Sequence, residues 1–190
     1  MNNLVSKKGK TNSNGLSMDP GILFVIKSVI LVVAWRILYT KILMPIRVPD
    51  KILTSLIGKG TAFVINLVSN PKLPKAYAVD NLVSAESIIY RYKFSILRIG
   101  DSCNGLELML IYIGLISLFP GKLLTKFYYI IIGTIVLIIT NMIRCAGLEW
   151  VYEFHRPMFE TTHHYLFTLV MYIIIFTGWV IYISKEKINE

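Results

Sequence analysis

Two uncharged runs dominate the C-terminal half of the chain, Phe127 to Ile143 over 17 residues and Tyr165 to Ser184 over 20. About 20 apolar residues in a helix cross the hydrocarbon layer of a bilayer, so the pattern predicts membrane helices near 127–144 and 164–184. A third span is predicted near 105–119, where LELMLIYIGLISLF is interrupted only by Glu107 and ends at Pro120-Gly121. Upstream, Gly21 to Thr40 is apolar except for Lys27 and Arg36, long cations able to snorkel to an interface, giving a span near 21–40. Residues 52–69 are apolar too but hold Lys59 between two glycines, a pattern that fits a span, a re-entrant segment or an interfacial helix. From Asn70 to Ser102 the chain turns polar, and SIIYRYKFSILRI mixes β-branched and aromatic residues with charges, which predicts a hairpin at the membrane surface. The expected fold is an all-α polytopic membrane protein, a bundle of about four to five transmembrane helices with a small extracytoplasmic hairpin before the third clear span. Residues 1–20 form a polar tail, and residues 21–190 a single integral membrane domain.

Composition narrows the class. With 55% hydrophobic and 16% charged residues the chain falls well below the roughly 25% charge of soluble domains, which excludes a water-soluble globule. Lys and Arg outnumber Asp and Glu by 20 to 11, a formal charge of +9. No basic stripe interleaved with aromatics accompanies that excess, so it points to cytoplasmic retention and anionic lipid headgroups rather than to nucleic acid. The tail carrying Lys7, Lys8 and Lys10 lacks the form of a secretory signal, and the first helix is expected to be retained. Lys122, Lys126, Lys185 and Lys187 are expected on the cytoplasmic side, and the loop from Cys145 to Thr162, with Glu149, Glu153 and Glu160 against Arg156, outside. The N-terminal half conflicts with this rule either way. If 52–69 spans, the basic tail lies outside; if it does not, nine Lys and Arg from Lys41 to Arg98 do.

Parity then brings three chemically distinct side chains to one surface. Cys103 precedes the third span, Arg144 ends the fourth and His163-His164 opens the fifth. A thiol, a guanidinium and an imidazole are a nucleophile, an oxyanion stabiliser and a general base, the parts of acyl transfer. Each has a plainer reading. Cys103 is a small filler or a disulfide partner of Cys145, Arg144 a snorkelling anchor, and His164 a headgroup contact. Against the first, Asn104-Gly-Leu-Glu107 has the form of a capping box that would leave the thiol at a helix N-terminus, where thiolate is favoured, with Glu107 as capping carboxylate. Asn141, one turn before Arg144, argues for a polar site there. Thr161 or Thr162 is the expected cap of the last helix. Zinc held by Cys103, His155, His163 and His164 lacks supporting ligand spacing, so no metal and no cofactor is expected.

At these residues the chain resembles the exosortase and archaeosortase family, membrane-embedded cysteine transpeptidases. That family has a Cys-x-Gly segment opening one membrane helix, an Asn-x-x-Arg segment ending the next and a His opening the last. Here they read Cys103-Asn104-Gly105, Asn141-Met142-Ile143-Arg144 and His164-Tyr165-Leu166-Phe167-Thr168. The family's His is usually followed four residues later by Gly, which is Thr168 here, and counting that way selects His164 over His163. Asp50 with Leu53-Thr54 adds an echo of the family's N-terminal part, and the short chain looks like the compact bacterial versions. The resemblance implies Cys103, Arg144 and His164 as catalytic residues and a multi-pass bacterial cytoplasmic membrane protein with its site facing outward. It implies protein substrates tethered by a C-terminal sorting signal of short motif, hydrophobic helix and basic tail, with room for an accessory membrane subunit. The competing reading is a non-catalytic membrane partner in surface polysaccharide or protein export that binds an anionic lipid-linked substrate. A small transporter fits least, because the last two spans carry almost no polar residues at mid-depth.

Overall fold

In the computed structural model, residues 20–188 are described, Leu82 excepted; the expected tail over 1–20 falls outside them but for its last residue. The chain is mostly helical. Helix α1 (Pro20–Leu38) runs through a π-helical turn (Tyr39–Leu43) into the short α2 (Met44–Ile46). Arg47, at φ 51°, is left-handed and breaks the helix, and Pro49, which lacks an N–H to satisfy, sits in the first turn of α3 (Val48–Val68). Strands β1 (Tyr77–Asn81), β2 (Glu86–Arg91) and β3 (Phe94–Ile99) form an antiparallel meander in that order, with a bulge at Ile89/Tyr90. Then come α4 (Leu106–Leu118), α5 (Leu123–Phe154), a 3-10 turn (Arg156–Met158), α6 (Phe159–Thr161), a second π-helical turn (Thr162–Leu166) and α7 (Phe167–Ile188).

Among the described residues, four helices are long and apolar enough to cross a membrane, Gly21–Ile46, Val48–Val68, Leu123–Phe154 and Arg156–Glu186, while α4 is shorter. Two expectations are corrected. The hairpin predicted over 87–99 forms as β2 and β3, but it belongs to a three-stranded sheet, because Tyr77–Asn81 pairs with the free edge of β2 as β1. The predicted loop from Cys145 is helix as far as Phe154: Glu149 and Glu153, one turn apart, both face Arg91 at 3.6 and 3.8 Å, so the charges that suggest a loop are paired along one face.

The helices build two regions around separate cores. In the first, α4 is central among α1, α5 and α7, and Met109, Tyr112, Ile116, Leu137, Met171, Ile175 and Tyr182 fill the interior. One end of this bundle is closed by Tyr182, whose hydroxyl donates to the Pro120 carbonyl, and by Glu186, which accepts from the Lys122 N–H. At the other end sits a cap of α3, the sheet and the distal part of α5, around Ile57, Ile65, Ile89, Ile99 and Cys145. Asp80 fastens β1 to α3 by accepting from Ser55 (2.6 Å) and Ser87 (2.8 Å) and pairing with Lys59 (3.4 Å). Burial works to raise the Asp80 carboxyl, but these donors outweigh it and hold the group below its ordinary value. Further along, the Asn66 amide both donates to and accepts from the Ala76 backbone, at 2.8 and 2.7 Å. The sheet comes this close because position 58 is glycine: a Cβ there would lie 2.0 Å from Ser87 Oγ.

Candidate functional site

Cys103, Arg144 and a histidine do meet, where the bundle joins the cap. The Cys103 N–H donates to the Gly100 carbonyl (2.9 Å), closing a turn that leads through Gly105 into α4. Gly105 has φ +81°, and a Cβ on it would stand 3.1 Å from Asn141 Nδ2, so the turn needs glycine for both conformation and space. Asn141 and Arg144, one turn apart on α5, reach the same acceptor: Asn141 Nδ2 donates to the Cys103 carbonyl at 2.9 Å and Arg144 Nη2 at 3.3 Å. The guanidinium is therefore no snorkelling anchor. Arg144 is buried, and its Nε, like Asn141 Oδ1, has no hydrogen-bond partner among the described residues.

The histidine differs from the one the resemblance selects. His163 Nε2 lies 3.6 Å from Cys103 Sγ, while His164 points away to Glu160 at 3.3 Å with both side chains exposed. Neighbouring helical residues project about 100° apart, so only one of the pair can face the thiol. The π-helical turn over Thr162–Leu166 sets which: the Thr168 hydroxyl lies 3.5 Å from the His163 carbonyl five residues earlier, and the His163 ring stacks on Phe159 with centroids 5.8 Å apart. Neither Thr161 nor Thr162 caps this helix by a side-chain bond. His155 lies at the distal end of α5, its ring against Trp150.

Asn104 takes a different part from the expected capping box. Its side-chain Oδ1 accepts from the Leu106 N–H (2.9 Å), and its Nδ2 donates to Asp50 Oδ1 (2.8 Å), with Thr54 Oγ1 at 3.4 Å. Tyr39 donates to the other Asp50 oxygen at 3.1 Å. Asp50 is 1% exposed and Asn104 0%, so this internal bond, a relay that the half-buried Tyr39 extends outward, ties the start of α3 to the residue beside the thiol. Glu107 lies instead on the surface, 4.0 Å from an exposed Arg36. Asp101 faces Arg47 at 3.7 Å; burial first, then repulsion from Asp50, raises its carboxyl, which Arg47 partly offsets. Cys145 is buried, with Sγ 4.0 Å from the Cys103 carbonyl, and both thiols are free.

Sequence reading named Cys103, Arg144 and Asn141 and weighed His163 against His164, choosing His164, but gave no part to Tyr39 or to the Asp50–Asn104 bond. The Asp50 signal was an acidic residue just after Pro49 at a helix start, where a carboxylate is commonplace. No protein-family model, curated protein or solved structure matches the chain.

Proposed function

We propose that this protein is a membrane-embedded cysteine peptidase or transpeptidase of the exosortase kind, acting on membrane-tethered proteins with a hydrophobic C-terminal tail. The observation that carries the reading is the 3.6 Å approach of Cys103 Sγ and His163 Nε2, with the buried Arg144 guanidinium on the carbonyl of the same cysteine. In the proposed reaction His163 takes the thiol proton as Cys103 Sγ bonds to the scissile carbonyl carbon. Collapse of the tetrahedral intermediate breaks the C–N bond, and the same proton passes to the leaving amine. Water, an amine or a hydroxyl then attacks the thioester carbon and gives its proton to His163; the C–S bond breaks, the acyl group stays on the attacking oxygen or nitrogen, and His163 returns the proton to Cys103 Sγ. In this reading the Arg144 guanidinium supplies the positive charge for a developing oxyanion, while its Nη2 and Asn141 hold the thiol's backbone in place. Tethering substrate and enzyme in one bilayer raises effective concentration, so little affinity is needed from the recognition motif.

Co-expression with a reporter ending in a short motif, an apolar helix and a basic tail tests this. Wild-type chain should shorten the reporter, and Cys103→Ser should leave it full length at equal enzyme level, since a hydroxyl has a far higher pKa than a thiol. Undiminished processing by Cys103→Ser would remove covalent catalysis and favour the non-catalytic export partner.

A further inference from the structure

Both ends of α3 lie at the same end of the bundle. At its start Asp50 bonds Asn104 beside Cys103; just past its end Ser69 accepts from Arg91, which also pairs with Glu149 and Glu153 on distal α5. A helix that crosses a bilayer has its ends on opposite faces, about 30 Å apart. α5 gives a ruler for the level of the middle of α3. Thr61 meets the Met142 carbonyl, and Met142 stands 20 residues beyond Lys122, a rise of about 30 Å. The midpoint of α3 is thus level with the outer edge of the hydrocarbon, where a crossing helix would have an end.

The sheet leads to the same place. β1 runs along α3 from Ser55–Asp80 to Asn66–Ala76, so a crossing α3 would draw into the hydrocarbon a sheet whose Arg98 is 68% exposed, along with an equally solvent-facing Lys59. By contrast, α1, α4, α7 and the first part of α5 share one layer. α1 follows α4 along its length, with Phe24 against Phe119, Leu31 beside Gly114 and Arg36 beside Glu107. That layer reaches from Pro120, Lys122 and Glu186 to Cys103, Arg144 and His163.

We infer that the bilayer wraps α1, α4, α7 and about the first two-thirds of α5, and that α3 does not cross it but rests in the outer interface under the cap. The exposed residues Ile52, Leu56, Phe63 and Leu67, spaced by whole turns, are the face that outer-leaflet lipid covers. Four crossings reduce the charge conflict of the N-terminal half. They put the start of α1 on the side of Lys122, Lys126 and Lys185. Of the nine cations from Lys41 to Arg98, which then lie outside, Arg47, Lys59, Arg91 and Arg98 have acidic partners within the cap. The inference rests on the membrane reading but not on the chemistry of Cys103, so its failure and a failure of the peptidase proposal are separate results.

The test is thiol accessibility in intact cells with a membrane-impermeant maleimide, in full-length Cys103→Ser, where buried Cys145 provides the unlabelled baseline. Lys41→Cys and Lys72→Cys, before and after α3, should both label in intact cells, and Lys122→Cys only after permeabilisation. Protection of Lys41→Cys until permeabilisation, with Lys72→Cys labelled from outside, would show that α3 crosses and overturn the inference. An independent measurement needs no cysteine: tags on the two ends of the wild-type chain should both resist protease in intact spheroplasts, and loss of one alone overturns the parity. A nitroxide at Phe63 should relax with nickel-chelating headgroups rather than with oxygen dissolved in the bilayer core; the reverse would place α3 in the hydrocarbon.

Discussion

The bundle interior and its junction with the cap are both buried, yet they are built on opposite terms. Around Ile116, Leu137, Met171 and Ile175 the contacts are apolar and non-directional, while the layer above holds Asp50, Thr54, Asn104, Asn141 and Arg144, all buried as well. Apolar packing tolerates a change of shape; a buried donor or acceptor that loses its partner does not. The junction is where the chain spends stability on fixed positions, and the atoms it fixes are those around Cys103.

The largest separation of the two regions should come from the thiol and its neighbour. Cys103→Ala should abolish reporter processing, and His163→Ala should lower it by about 10²- to 10⁴-fold, the usual share of a general base. His164→Ala should leave it near wild type; equal losses at both histidines would undo the assignment drawn from the 3.6 Å contact.

Next in size is the relay. Asp50→Leu strands the Asn104 amide and the Tyr39 hydroxyl and should cost about 1–3 kcal/mol in detergent unfolding. It should also alter the rate of Cys103 alkylation, which a loss of general stability would not. Gly105→Ala, at φ +81° and against Asn141, should cost about 1–2 kcal/mol for the left-handed conformation. In the bundle interior, Tyr112→Phe removes one bond to the Tyr129 carbonyl and should cost about 0.6 kcal/mol, the usual value inside membrane proteins. Should it cost as much as Asp50→Leu, the contrast between the regions fails.

The smallest effects are electrostatic and of opposite sign. Asp80 is held below its ordinary value, so its contribution to stability is present above the unfolded-state value and lost as pH falls through the folded one. Asp101 is raised, so its protonated form favours the fold, and that contribution is lost as pH rises through its folded value. Between about pH 6 and pH 3, acid should destabilise the cap less in Asp80→Asn and more in Asp101→Asn than in wild type, read by amide exchange in β1.

What could be read from the sequence follows the same division. Uncharged runs disclosed the bundle helices because lipid demands apolar surface over a fixed length, and residues one turn apart, Asn141 and Arg144, disclosed a shared face. The cap was harder, since its partners are distant in sequence: Asp50 and Asn104 are 54 residues apart, and the pairing of Glu149 and Glu153 with Arg91 depends on how β2 is placed. α3 carries an apolar stripe suited to lipid, so its hydropathy alone did not separate lying from crossing. His163 and His164 differ by one position, and a π-helical turn, which local composition does not announce, sets which faces inward.

The brevity of α4 has a consequence for how the molecule meets bilayers of different thickness. Its 13 residues rise about 20 Å, well short of the hydrocarbon layer, and at its start the central position passes to the buried polar residues Asn104, Asn141 and Arg144. Thickening or thinning the bilayer would tilt the outer helices, at a modest cost per ångström of mismatch. The spacing of thiol, imidazole and guanidinium would stay as it is, because the protein carries its own oil–water boundary inside the bundle.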